Sequence, residues 1–554
     1  MAMLLLQPLQ RECFCLGAAL MLVCVLIHPI VMAFVPTTLS HHVLLSSSCI
    51  PSAGTIHAMG PAPTTRSQSR SQSRWDFLPL QHTATTSADE DIMAEKIVGE
   101  AQARLRPAFE DVDRRTQRIL KRVLTAFREH QVGTHMFNGI DGYGHGDVGR
   151  DTLEKVYASL FGAEAALVRV QIFSGTHAIS CALFGVLRPG DKMLGLSGPP
   201  YDTLEEVIGT RVGHQDEGSG PAPGQRPLTG SLKEWGVAYD QVDLLSSVAP
   251  GQYFDLAEID RRITADPCIR VLHIQRSCGY QWRPSIPVAE IGHVIAHIRA
   301  AFPSRELVVF VDNCYGEFVE DLEPTHVGAD IVAGSLIKNP GGTLAPTGGY
   351  VIGKQHYVQA AFKRLSAPGV EGGATLGKTR WILQGLFMAP AVVGESLKGA
   401  MLLAEVMGTR FGLPCNPAPG TSRTDIIQAV QVGSRYQVIQ FCQQVQRLSP
   451  IGAYIRPTAG ISPGYGDEVV FAVGTFVDGS TLELSADGPL REPYTVFSQG
   501  CTHWTHWALV LEAALVQMGF CHDEYSPGGM GCAKDFSENV NKSTLLAEGG
   551  MSKG

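Results

Sequence analysis

The stretch Asp330-Ile-Val-Ala-Gly-Ser-Leu-Ile-Lys338-Asn-Pro-Gly-Gly342 sets a lysine directly behind a short apolar run and ahead of a glycine-rich loop. A second run, Leu307-Val-Val-Phe-Val-Asp312, ends in a carboxylate. Runs of this length, rich in β-branched residues and bounded by turn signals, read as fully buried strands. Others recur at LVRVQIF (167–173), KMLGLSG (192–198) and VLHIQ (271–275). Helical stretches at 175–187, 202–209 and 287–302 alternate with them. The repeating unit is therefore strand, helix, strand, and the expected fold is α/β with a mainly parallel sheet. The capping-box-like Asp151-Thr-Leu-Glu154 predicts a helix start, with Leu153, Val156, Tyr157 and Leu160 on one face.

Outward from this centre, the long helical stretch WILQGLFMAPAVVGESLKGAMLLAEVMG (381–408) leads to further strands and a terminal helix in HWTHWALVLEAALVQMGF (503–520). We read 86–385 as an N-terminal arm plus a large domain, 386–525 as a smaller C-terminal α+β domain, and 526–554 as a polar, Gly-rich disordered tail. Residues 214–235, polar and rich in Gly and Pro, read as a surface insertion. Residues 1–85 form a leader. It holds a continuous apolar run at 13–27, then a stretch to Trp75 with no acidic residue and much Ser, Thr and Arg. A signal peptide followed by a transit peptide is the expectation, joined at Met32-Ala33-Phe34-Val35-Pro36, and with it a plastid location. Membrane anchoring through an uncleaved leader, or the secretory pathway, is the alternative.

Composition narrows the function. The 554 residues are 44% hydrophobic and 18% charged, so the chain is globular. Forty-four basic against 53 acidic side chains give a net charge of −9, which offers no general attraction to nucleic acid. A small molecule is the expected partner. The 13 cysteines include no CxxC pair, so neither a zinc site nor a disulfide framework is predicted.

Phe173-Ser-Gly-Thr-His177 ends an apolar run and opens a helix, which sets backbone N–H groups and two hydroxyls where a phosphate binds. Asp312 leaves the carboxyl end of a buried strand, the edge at which open α/β sheets hold ligands. Lys338 beside a buried strand is expected to deprotonate readily, and the neutral amine is the form that makes a Schiff base. A phosphate cradle, a strand-end Asp and a strand-end Lys are the three parts that hold pyridoxal 5'-phosphate.

Here the sequence resembles the fold-type I pyridoxal-phosphate enzymes of cysteine and methionine metabolism, and more closely the methionine gamma-lyase or aluminium resistance protein family. The resemblance spans roughly 95–525 and rests on GYGHGDVGRDTLE, SGTHAI, LRPGD, GPPYDTL, VDNCYGEFVE, GSLIKNPGG, TGGYVIG and ELSADGPLREPY. It implies Lys338 as the cofactor lysine, Asp312 as the pyridinium partner, and Ser174, Gly175, Thr176 and Ser335 as phosphate ligands. Tyr201 would stack on the cofactor ring. Tyr143 would reach the phosphate of a neighbouring subunit, although His145 replaces the arginine of the usual Tyr-x-Arg; Ile337 likewise replaces a threonine before the lysine. Arg491 is the candidate for the substrate α-carboxylate.

The implied activity is carbon–sulfur elimination from an amino acid, of the methionine gamma-lyase or cystathionine beta-lyase kind, in a homodimer or homotetramer. An aminotransferase on the same scaffold is the enzymatic alternative. A non-catalytic aluminium tolerance protein is the alternative of another class. His293 and His297 lie four apart on a predicted helix but lack the Glu of HExxH, so no metal site is expected there. Cys314 is expected to pack near the site rather than react.

Overall fold

The computed structural model describes residues 88–211, 228–245, 252–370 and 372–521. The leader, the tail and most of the 214–235 insertion lie outside the described residues.

A seven-stranded sheet organises the first part. Its strands are β1 (Ala165–Arg169), β2 (Lys192–Gly195), β3 (Ala238–Gln241), β4 (Ile269–Gln275), β5 (Val308–Asp312), β6 (Ile331–Ser335) and β7 (Gly349–Gly353), in the order β1-β7-β6-β5-β4-β2-β3. From β6 to β3 all neighbours are parallel, whereas β7 runs antiparallel to both β1 and β6. The exception has a simple cause: only a three-residue 3-10 turn, Asn339–Gly341, separates β6 from β7, too short for a crossover, so the chain turns back.

The apolar runs form buried strands because both faces of the sheet are covered. Along β5, Val308 and Phe310 join one core, with the helices Gly175–Val186 and Gln355–Leu365. Val309 and Val311 join the other, with the helices Val148–Leu160, Leu256–Ala265 and Val288–Ala301. Alternate residues feed opposite cores, as the two-residue period of a strand requires. This is the fold-type I architecture expected above.

A second, antiparallel sheet follows the long buried helix Thr379–Ala404. Its strands are β8 (Cys415–Asn416), β9 (Gln428–Gln431), β10 (Gly460–Ile461), β11 (Glu468–Val473), β12 (Ser485–Pro489) and β13 (Thr495–Gln499), in the order β10-β11-β12-β13-β9-β8. The helices Arg435–Arg447 and Thr505–Gln517 cover one face. The 42-residue helix Ala88–Glu129 ties the two cores together, with Ala94, Ile97, Val98 and Ala101 in the second and Val112, Ile119 and Val123 in the first.

One helix start differs from expectation. Asp147 is the cap, its carboxylate accepting from the Arg150 amide, so Asp151 and Glu154 lie inside the helix. The same Asp147 carboxylate accepts from Thr375 N and Oγ1 at 3.0 and 2.8 Å. A tertiary partner 228 residues away decides between two plausible local caps.

Behind the sheet edge, the fully buried Arg276 pins the chain that leaves β5. Its Nη1 donates to Asn313 Oδ1 (2.7 Å) and to the Gly316 carbonyl (2.9 Å), and its Nη2 to Glu320 Oε2 (2.6 Å). Buried Glu323 completes the network by accepting from Asn313 Nδ2 and the Phe318 amide, both at 2.9 Å. Tyr315 and Phe318 are held there at φ 71° and 62°, conformations that persist only where the surroundings over-determine them. Arg276→Ala strands buried Asn313 and Glu323, so we expect a loss of about 3–5 kcal/mol in unfolding free energy, measured by urea titration. A loss below about 1 kcal/mol would show that the network is not what holds this segment.

Candidate active site

The carboxyl ends of β1, β4, β5 and β6 meet on one edge, and the chain leaving each of them brings a candidate residue. After β1 the chain passes over β7 to reach the helix beginning at Gly175. A Cβ at Gly349 would lie 2.4 Å from Ile172 Cγ2, so only glycine lets the crossing through. Ser174 caps the helix by accepting from the His177 amide at 3.0 Å. Thr176 Oγ1 shares a hydrogen bond with Thr203 Oγ1 at 2.9 Å. A Cβ at Gly175 would lie 3.1 Å from Cys314 Sγ and 3.5 Å from Ser335 Cβ, so this N-terminus abuts the ends of β5 and β6. Ser335 is buried and its Oγ has no hydrogen-bond partner among the described residues. An orphaned hydroxyl beside a helix N-terminus fits an anion such as a phosphate.

Asp312 ends β5, buried, its Oδ1 accepting from the Cys314 amide at 3.1 Å. Burial pushes its carboxyl above the ordinary aspartate value, with the Cys314 amide and the charges of Lys338 and Arg283 opposing. Lys338 follows β6, its Nζ 4.0 Å from the centroid of the Tyr315 ring, a cation–π contact. The expectation of easy deprotonation fails here. Burial does oppose the ammonium, but the acidic groups Cys314, Tyr315, Asp312 and Glu317 outweigh it and hold the lysine above its ordinary value.

Glu317 lies fully buried behind Lys338. Its Oε1 accepts from Tyr350 Oη at 2.6 Å, its Oε2 has no partner among the described residues, and its carbonyl accepts from Asn339 Nδ2 at 2.9 Å. The residue after the lysine is thus anchored to this segment. Burial pushes the Glu317 carboxyl up to about 8, despite the Tyr350 hydroxyl.

Across the edge stands an aromatic wall. Tyr201 Oη and Tyr465 Oη hydrogen bond at 3.0 Å, and the Tyr201 amide donates to Gln275 Oε1 at 2.7 Å. The Tyr280 ring packs against Tyr201 at 5.6 Å, Tyr465 at 5.9 Å and Phe497 at 5.1 Å. Beside Tyr280 and Phe497 a cavity of about 210 Å³ runs out to Arg491, which pairs with Asp467 Oδ2 at 2.5 Å.

Ser174, Gly175, Thr176, Asp312, Ser335 and Lys338 therefore converge, with Tyr201 in the facing wall and Arg491 at the mouth. Tyr143 does not join them: it is 66% exposed and its ring stacks on His145 at 5.7 Å. Ile337 points toward the Gly479 turn. His297 pairs with Asp260 at 2.9 Å rather than with His293. Tyr280, Tyr465 and Asp487 were not singled out from the sequence. Asp487 and Glu317 do lie within the motifs ELSADGPLREPY and VDNCYGEFVE, which carried the signal without its meaning.

Known proteins bear on this arrangement. A sequence model of the methionine gamma-lyase family matches residues 94–519. YnbB of Bacillus subtilis, an uncharacterized protein, is 45% identical over 419 residues, 75% of this chain and 94% of YnbB. A solved carbon-sulfur lyase involved in aluminum resistance from Clostridium novyi is 38% identical, with TM-score 0.70 over 77% of this chain and 97% of its own. A Clostridium acetobutylicum structure, provisionally named a cystathionine beta-lyase involved in aluminum resistance, is 41% identical, with TM-score 0.70 over 77% and 95%. These relatives are bacterial, which overturns the plastid location expected from the leader. An acid-poor, Ser- and Arg-rich composition is a bias shared by many polar segments and does not by itself constitute an organellar address.

Glu317 makes the buried edge sensitive to pH. Between 4.5, the ordinary glutamate value, and about 8, the folded protein keeps a proton that the unfolded chain releases, so stability falls as pH rises through that window. Glu317→Gln, which can still accept from Tyr350, removes the effect. Urea unfolding of both proteins across pH should show the wild type losing ground to the variant over this interval, and parallel profiles would contradict the assignment.

Proposed function

The chain belongs to the methionine gamma-lyase family, and from that premise we propose that it is a pyridoxal-phosphate-dependent carbon–sulfur lyase acting on thioether amino acids. The observation that carries the reading is the orphaned Ser335 hydroxyl at the Ser174–Thr176 helix N-terminus, on the same sheet edge as buried Asp312 and Lys338. These residues fit the cofactor: Ser174, Gly175, Thr176 and Ser335 would hold its phosphate, Asp312 its pyridine nitrogen and Lys338 its aldehyde carbon, with Tyr201 walling the ring. When bound, pyridoxal phosphate supplies an electron sink for charge that develops at the substrate α-carbon.

The chain's own residues do the rest. Lys338 Nζ would take and return a proton at the substrate α-carbon in its neutral form, which the acidic neighbours of the free lysine oppose. Asp312, held by the Cys314 amide, presents a carboxylate to a ring N–H from a buried position, where the pairing is strengthened by the low local dielectric. Tyr201 and Tyr465, bonded through their hydroxyls, would wall the substrate side of the site and limit the access of water. Arg491 is the candidate partner for a substrate carboxylate, which would compete with Asp467 for the guanidinium. Tyr143, exposed and stacked on His145, is available to a neighbouring subunit in a homodimer or homotetramer.

Product analysis of the full chain loaded with pyridoxal phosphate tests the reading. Methionine should yield methanethiol, 2-oxobutyrate and ammonia if the γ bond breaks; cystathionine should yield homocysteine, pyruvate and ammonia if the β bond breaks. Lys338→Ala should abolish turnover and the visible absorption of the bound cofactor. An oxo acid formed without any thiol would favour an aminotransferase, and turnover that survives the substitution would remove the lysine from the chemistry.

A further inference from the structure

We propose that Asp487 is a subsite for a second, cationic amino group of the substrate, so that the preferred thioethers carry an ammonium on the leaving-group side of sulfur. This deepens, and rests on, the lyase reading above.

The placement comes from the register of the antiparallel sheet. On β12, Asp487 lies directly opposite Phe471 of β11 and Phe497 of β13, so these three side chains share one face. Tyr465 packs edge-on to Phe471 at 5.5 Å and Tyr280 against Phe497 at 5.1 Å, and Tyr201 contacts both tyrosines. Alternate residues turn the other way: Ala486 lies in the core beneath the covering helices. Asp487 is thus a lone carboxyl among rings, facing the side of the sheet on which the aromatic wall stands.

Its surroundings leave it incomplete. Asp487 is 9% exposed and its Oδ1 has no hydrogen-bond partner among the described residues. Burial pushes the carboxyl up to about 7; the Tyr280 hydroxyl, the Gln499 amide and the charge of Lys338 ease it without giving Oδ1 a bond of ordinary geometry. The aromatic wall joins this face to the site: the Tyr201 amide bonds Gln275, which pairs with Asp312 across β4 and β5, and Tyr201 packs on Tyr280, which packs on Phe497 opposite Asp487. A cavity of about 210 Å³ opens beside Tyr280, Phe497 and Pro489, and Pro489 lies two residues beyond Asp487 on the same strand.

A carboxyl ringed by aromatic faces discriminates by charge. An ammonium gains a charge-assisted hydrogen bond from the carboxylate and attraction from the ring quadrupoles. A methyl group, the far end of methionine, would desolvate the carboxyl and leave it unpaired. A thioether whose far side is itself an amino acid provides the ammonium. Cystathionine is of that class.

The test compares L-cystathionine with S-(3-carboxypropyl)-L-cysteine, which lacks only the distal amine. In the wild-type holoenzyme the ratio of kcat/KM should favour cystathionine by about tenfold or more. Asp487→Asn should bring the ratio to within about threefold of one, with the loss on KM for cystathionine. Calorimetric titration of Lys338→Ala with the same pair reads the preference without turnover. Equal affinities and equal kcat/KM would overturn the subsite while leaving the lyase reading intact. A preference in binding with no cleavage of either thioether would keep the subsite and overturn the lyase reading. A uniform drop in kcat on both substrates in Asp487→Asn, with the ratio unchanged, would place the carboxyl in the chemistry and also overturn the proposal.

Discussion

Parallel pairing of β5 with β6, which sets Asp312 beside Ala333, governs the geometry of the whole site. Two adjacent strands running the same way must release their chains at the same edge, so the carboxylate ending β5 and the lysine following β6 emerge together. The rest serves that juxtaposition. The chain after β1 crosses glycine-bearing β7 to bring a helix N-terminus against the same two strand ends. Arg276, buried beneath, holds the segment that carries Cys314, Tyr315 and Glu317. Because the lysine's neighbours come from that segment, the electrostatics of the site depend on a residue that faces away from it.

Burying so many ionisable groups at one edge is costly, and the edge shows where compensation stops. Asp312, Glu317 and Asp487 are each driven toward the protonated form by burial. The Ser335 hydroxyl, one oxygen of Glu317 and one of Asp487 lack hydrogen-bond partners among the described residues. Native interiors rarely leave such groups unsatisfied, and where they do the groups cluster where a ligand completes the set. Of these three, Ser335 lies against the helix N-terminus, Glu317 behind Lys338 and Asp487 on the face of the aromatic wall.

Fold and family delimit the chemistry without specifying the substrate. Fold-type I scaffolds support several reactions, and relatives named as lyases share the fold of this chain at a TM-score of 0.70. The subsite we propose belongs to the second sheet, one face of which carries Phe471, Asp487 and Phe497 side by side. That face is set by antiparallel register, where a slip of one residue would turn Asp487 into the helix-covered core.

The sequence by itself determined the alternation of strands and helices, and with it the residues at strand ends. Asp312, Lys338 and the Ser174–Thr176 turn were legible because each sits where an apolar run stops, a local event with a local signature. The reversed direction of β7 was not legible, nor was the cap at Asp147, which depends on Thr375 far along the chain. The sequence placed a lysine correctly and misjudged its charge. Protonation follows the sum of burial and neighbouring charge, and the acidic groups near Lys338 are set around it by the folded segment after β5. Tyr280, Tyr465 and Asp487 belong to the same class: ordinary residues in sequence, they become a wall and a charge only when tertiary packing brings elements some 200 residues apart face to face. Periodicity is a property of neighbours along a chain, whereas a binding surface is a property of neighbours in space, and only folding converts one into the other.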